Sequence, residues 1–170
     1  LVKMALFREG ENYCRLGDFA KGAELLEKFL KEYRSDPVAR NVNAGEVQGL
    51  LAQWYFKMDP PSFEKGLENL TACVNSRYKG RRITDAVITN GFLAMVDAAI
   101  KIGKCQETVK FVEAHPSVMN ISPTRVALYA PRLVSNIAEV LGKSSALLQE
   151  GKQKESEDYA SLALVLMGIL

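Results

Sequence analysis

His115 is the only histidine in the 170-residue chain, and its three cysteines, Cys14, Cys73 and Cys105, stand 59 and 32 residues apart. A general base needs a nucleophile and an orienting partner, and neither can be named around His115, which directly precedes Pro116 at an expected helix end. Its expected role is to hydrogen-bond, or to place positive charge, at that helix C-terminus. An odd number of widely spaced cysteines fits neither a disulfide framework nor a locally paired zinc site, so free thiols in a reducing compartment are expected. Ser62-Phe63-Glu64-Lys65 has the Ser-x-x-Lys spacing of one hydrolase class. Its companion motifs are missing and the serine follows two prolines, so capping and turn chemistry are expected there. Gly-Lys at 103–104, 142–143 and 151–152 lacks the upstream glycines of a phosphate-binding loop. No catalytic, cofactor-binding or metal-binding residue is assigned, and no cofactor is expected.

The acidic residues fall on expected solvated helix faces: Glu24 and Glu27 with Lys28, where Glu24 and Lys28 form an i,i+4 pair, and Glu155, Glu157 and Asp158. One basic cluster remains, Arg77-Tyr78-Lys79-Gly80-Arg81-Arg82. Four cations with one aromatic can contact RNA phosphates and stack a base, meet an acidic patch on a protein, or form a solvated linker. The whole chain carries 22 Lys+Arg against 20 Asp+Glu, a formal charge of +2, which is too near neutral for a protein that lives on many phosphate contacts. With 48% hydrophobic residues and this length, it is expected to bury roughly 70% of its unfolded surface as one domain, 1–170. No segment approaches the ~20 apolar residues that span a membrane, so no membrane insertion is expected. Leu1 stands where a Met would open a primary product, as after removal of a targeting segment or trimming of the chain.

These side chains must be positioned by helices. Apolar residues recur with a 3.6-residue period at Phe19, Leu26, Phe29, Leu30 and Tyr33; at Val47, Leu50, Leu51, Trp54, Tyr55 and Met58; and at Phe63, Leu67, Leu70, Val74 and Tyr78. Further sets are Ile88, Phe92, Met95, Ala99 and Ile102, then Val126, Tyr129, Leu133, Ile137 and Val140. Asp36-Pro37, Asp59-Pro60 and Ser122-Pro123 read as helix starts, and Gly17, Gly103 and Gly151 as stops. Pro131 falls inside an apolar period, where a kink or break is expected after Ala130. The resulting helices are 2–16, 18–34, 37–58, 60–77, 84–102, 104–114, 123–141 and 152–168, with 143–150 as a short extension. Turns near 17, 60, 103 and 151 are spaced by 43, 43 and 48 residues, the mark of an all-α solenoid of about four hairpins, near 2–34, 37–77, 84–114 and 123–168.

In the first hairpin, Leu6, Gly10 and Tyr13, the turn residues Gly17 and Phe19, and Gly22 resemble the signature of tetratricopeptide repeats. Gly10 and Gly22 would let the two helices approach closely, with Tyr13 filling the groove beside them. Phe63 and Gly66 echo Phe19 and Gly22, and Gly103, Thr108 and Val112 echo Gly17, Gly22 and Leu26. The repeat is longer than the ~34 residues of a regular tetratricopeptide unit, and such degenerate hairpins are equally similar to pentatricopeptide proteins of organelles. In its mass of 18.8 kDa, its degenerate hairpins and its non-Met start, the chain also resembles the accessory subunits that euglenozoan protists add to the catalytic head of mitochondrial ATP synthase. That resemblance implies a non-enzymatic protein on the matrix side of mitochondria, docked on the ATP synthase α subunit.

A solenoid without catalytic residues is expected to bind protein. The apolar stretch Ala160–Leu170 carries too many large residues for one helical stripe, so part of it is expected to close the last hairpin and part to face a partner. The candidate partner-binding residues are Arg77, Lys79, Arg81, Arg82, Leu164, Met167 and Leu170. The alternative is an organellar RNA-binding protein of pentatricopeptide type using the same four cations.

Overall fold

A computed structural model describes residues 2–33, 44–78 and 83–170, and the chain is all-α: those residues contain eight α-helices, one 3-10 turn and no strand. The helices are α1 (Val2–Arg15), α2 (Phe19–Tyr33), α3 (Ala44–Lys57), α4 (Phe63–Tyr78), α5 (Asp85–Ile102), α6 (Cys105–Ala114), α7 (Pro123–Gln149) and α8 (Gln153–Met167), with the 3-10 turn at Pro116–Met119. They form two compact units, one ending at Met95 and one beginning at Val96, so that the boundary falls inside α5.

Three of the helix stops share one chemistry. Gly17, Gly103 and Gly151 have φ of +89°, +76° and +76°, a region that costs glycine nothing. After each, the next backbone N–H reaches back five residues, Asp18 to Tyr13 O, Lys104 to Ala99 O and Lys152 to Leu147 O, each at 2.9 Å. This is the Schellman closure, which satisfies a carbonyl that the ending helix leaves without a partner. The following helix starts two residues beyond each glycine. At the first of them the Asp18 carboxylate accepts from Lys21 N–H at 3.0 Å and caps α2.

The start expected at Pro60 is displaced. Ser62 N–H donates to Tyr55 O at 2.9 Å and Ser62 O accepts from Gly66 N–H at 3.0 Å, so the prolines fill the turn and α4 begins at Phe63. The start expected at Asp36-Pro37 lies outside the described residues.

In the first unit α1 packs on α2, α2 on α3 and α3 on α4. The core joins Phe7 and Cys14 of α1, Leu26 and Phe29 of α2, and Leu51 and Trp54 of α3. The Phe7 and Phe29 rings meet at 5.5 Å, and those of Phe56 and Phe63 at 5.3 Å in an edge-on contact. The close approach expected of Gly10 and Gly22 is present. A Cβ on Gly22 would lie 2.1 Å from Cys14 Sγ and 2.8 Å from Gly10 O. Gly49 of α3 forms a second such crossing, where a Cβ would lie 2.1 Å from Val87 Cγ1 of α5.

In the second unit α8 packs against both α6 and α7. Leu133 and Val140 of α7 are buried with Leu162, Ala163 and Leu166 of α8. The break expected at Pro131 does not occur, and the expected extension at 143–150 is continuous with the helix before it: α7 runs unbroken for 27 residues. The reason is orientation. Pro131 removes the hydrogen bond to the Ala127 carbonyl, and both residues are exposed, so water can take over that acceptor. Ile102, expected on the apolar face of α5, is exposed at the last helical position before Gly103.

Candidate partner-binding surfaces

Of the four cations in the basic cluster, Lys79, Arg81 and Arg82 lie outside the described residues. Arg77, at the end of α4, is half-exposed and its guanidinium is bonded to the Asp85 carboxylate at 2.7 Å. Asp85 opens α5, so this pair also complements the positive end of that helix. On the other side of the cluster Thr84 N–H donates to Glu46 Oε1 at 3.1 Å and Ile83 is buried. The segment is therefore flanked by two anchored ends, and one of its cations is already matched by an acid.

The apolar end of the chain divides as its composition suggests. Leu162, Ala163, Leu166 and Ile169 are buried, whereas Leu164, Met167 and Leu170 are 69%, 44% and 54% exposed. Sequence periodicity did not reveal a second exposed apolar row on α7: Val134, Leu141 and Leu148, seven residues apart, are 55%, 43% and 60% exposed. Of the charged residues in α7, Arg125, Arg132 and Lys143 are half-buried and only Glu139 is exposed. A solvated helix face ordinarily carries charge, and this one is almost bare of it.

Polar bonds hold this hairpin in one orientation. The Asp97 carboxylate of α5 accepts from Asn136 Nδ2 at 2.9 Å and also from Arg132. Lys143 Nζ donates to Ile100 O at 2.8 Å and pairs with Glu139 at 3.0 Å. Tyr159 O–H also donates to Ile100 O, at 3.4 Å, so both groups serve a carbonyl at the end of α5 that has no helical partner. Between α7 and α8, Ser144 Oγ donates to Ser156 O at 2.9 Å and Ser156 Oγ to Ser144 O at 2.8 Å.

The residues considered for chemistry take structural positions. His115 closes α6, its N–H donating to Phe111 O at 2.9 Å while its ring packs 4.9 Å from that of Phe111. The three cysteines are free and buried, and burial pushes each thiol from its usual 9.0 up to about 12. At neutral pH they are unreactive thiols. Ser62 shapes the α3–α4 turn, and Lys65 sits 5.1 Å above the Tyr55 ring and 3.6 Å from Glu27. The Glu24–Lys28 pair is replaced by two others, Lys21 with Glu24 at 2.9 Å and Lys28 with Glu32 at 4.0 Å. Glu27 is not merely solvated, since it accepts from the Tyr55 hydroxyl and links α2 to α3.

An open cleft of about 480 Å³ lies beside the first turn between Asp18, Phe19, Lys57 and Pro60. Among the described residues no group of three His, Cys, Asp or Glu could hold a metal ion, and no helix is long and apolar enough to cross a membrane. No protein-family model, curated protein or solved structure matches this chain.

Proposed function

We propose that the chain is a non-catalytic protein-interaction subunit. The observation that carries this reading is the outward apolar surface of the α7–α8 hairpin, where Leu164 and Met167 stand exposed beside an α7 face whose only exposed charge is Glu139. Apolar patches of this extent on a charged surface mark interaction sites. A solenoid of hairpins, the arrangement suggested by the repeated glycine stops, would present such a surface along its length. The basic segment from Arg77 to Arg82 offers a second, electrostatic contact to an acidic partner.

The narrower form of the reading makes the partner the ATP synthase α subunit, in the mitochondrial matrix. It is supported by the resemblance in chain mass and style of degenerate hairpin to such accessory subunits, and by no single motif. The test uses Leu164→Asp and Met167→Asp, which leave the buried Leu162, Ala163, Leu166 and Ile169 in place. Recovery of the chain in its native assembly should fall in both variants while helicity is retained, and unchanged recovery would refute the reading. The RNA-binding alternative predicts affinity for single-stranded RNA that declines steeply with salt and drops when Arg77, Lys79, Arg81 and Arg82 become Ala.

A further inference from the structure

We infer that the outward side of the α7–α8 hairpin binds a second copy of this chain, two hairpins meeting face to face as a four-helix bundle. The inference rests on the reading that this surface binds protein; it gives the α7–α8 face to a second copy and leaves the segment from Arg77 to Arg82 as the contact to a larger assembly.

The orientation of the surface follows from the bonds already described. Ser144 and Ser156 fix the side of α7 that faces α8, while Arg132, Asn136 and Lys143 fix the side that faces the end of α5. At 100° per residue, Val134, Leu141 and Leu148 then fall on the solvent side next to α8. By the same construction Leu164 and Met167 of the antiparallel α8 fall on the solvent side next to α7. Five large apolar side chains therefore line one seam between the two helices.

A helix is the shape that this seam accepts. Along α7 the exposed residues Val134, Ala138, Leu141, Ser145 and Leu148 are spaced alternately by four and three, the period of a coiled-coil contact, with small residues between the large ones. A second copy brings a seam of the same period and length, whose large residues can sit over the small ones of the first. In a two-fold pair each patch meets itself, so like charges would repel, and the α7 row carries none. On α8, Glu157 is exposed but lies in the N-terminal half, where Gln153 donates to it at 2.9 Å.

The area also suits a dimer. At exposures of 43% to 69%, the five large side chains offer roughly 500 Å² of apolar surface, so that a two-fold pair would bury roughly 1,000 Å² in total, the size at which a specific interface begins. Two hairpins joined in this way bury the apolar rows in the centre of a bundle, as in other four-helix assemblies.

The test is the molar mass of the 170-residue chain by light scattering and sedimentation equilibrium, from about 1 to about 100 µM, a range that brackets association through an interface of this size. The mass should rise from 18.8 kDa to twice that value, and Leu141→Glu and Leu164→Glu should remain at 18.8 kDa throughout with the same circular dichroism. If a Glu variant loses helicity, Leu141→Gln and Leu164→Gln take its place. A wild-type chain that stays at 18.8 kDa, or a dimer that both substitutions leave intact, overturns the inference. If the wild type is monomeric but Leu164→Glu still lowers recovery in the native assembly, a different protein occupies the face and only the second copy is refuted. If mass and recovery are both unaffected, the interaction reading fails as well.

Discussion

Replacing Gly22 by alanine inserts a methyl group at the α1–α2 crossing, where its Cβ would lie 2.1 Å from Cys14 Sγ, 2.8 Å from Gly10 O and 3.3 Å from Cys14 N. The thiol can rotate only within a packed site, since Cys14 is 8% exposed, and the carbonyl moves only if α1 moves. Overfilling a tight contact costs about 1–3 kcal/mol, and with two approaches under 3.0 Å, one of them to backbone, this site belongs in the upper part of that range, about 2–3 kcal/mol. Against this, alanine is favoured over glycine inside a helix by about 1 kcal/mol. The net expectation is a loss of about 1–2 kcal/mol, which lowers the melting temperature by about 2–8 °C in a chain of this size. Gly142 supplies the control: it lies inside α7 with nothing within 4 Å of an added Cβ, so the same substitution should stabilise by about 0.5–1 kcal/mol. Urea and thermal denaturation of Gly22→Ala and Gly142→Ala should therefore move in opposite directions. In a Cys14→Ala background, Gly22→Ala should cost at least about 0.5 kcal/mol less, because the sulfur it strikes is gone. A Gly22→Ala protein as stable as the wild type, or no coupling to Cys14, would refute the close-packed crossing.

The remaining expectations concern thiols, alkaline stability and the α5–α7 clamp. With each thiol held up to about 12, a thiol reagent at pH 8 should leave the folded protein unlabelled and modify all three cysteines once urea is added; stoichiometric labelling of the folded chain would contradict their burial. A thiol raised by folding stays protonated in the native state while the unfolded chain ionises near its usual 9.0, so stability should hold below pH 9 and fall as pH climbs from 9 towards 12. Cys73→Ala should flatten that decline, and an equal slope in the variant would remove the thiol as its cause. Asp97→Ala strands the buried Asn136 amide and should cost about 1–3 kcal/mol, whereas Arg132→Ala removes a half-exposed ion pair and should cost at most about 1 kcal/mol. Denaturation midpoints in the reverse order would show that the amide is not held by Asp97.

The helices were legible where local chemistry decides them. Gly17, Gly103 and Gly151 need a backbone that only glycine adopts freely, and each ends a helix as its position suggests. The inward stripes were legible because burial repeats with the helical period, as Leu133 and Val140 show. What the pattern concealed depended on which way a residue faces. Pro131 reads as a breaker in any sequence, yet the carbonyl it frees belongs to Ala127 on the exposed side of α7. The outward row of Val134, Leu141 and Leu148 alternates with small residues and runs beside a stronger inward stripe, so it has no distinct signal of its own. The exposure of Leu164, Met167 and Leu170 was legible because their stretch holds more large residues than one stripe can bury. Glu27 reads as a solvated charge and Arg77 as one cation of a partner-binding cluster, and only their partners from other helices, Tyr55 and Asp85, reveal what they hold together.

Isolation of the native assembly under mild conditions tests the proposed role as a protein-interaction subunit most directly. The chain should elute at a stable stoichiometry in a complex far larger than 18.8 kDa, with ATP synthase α subunits among its partners and no dependence on RNA. Elution as a free chain, or with ribosomes or RNA-processing complexes that release it on ribonuclease treatment, would contradict the account.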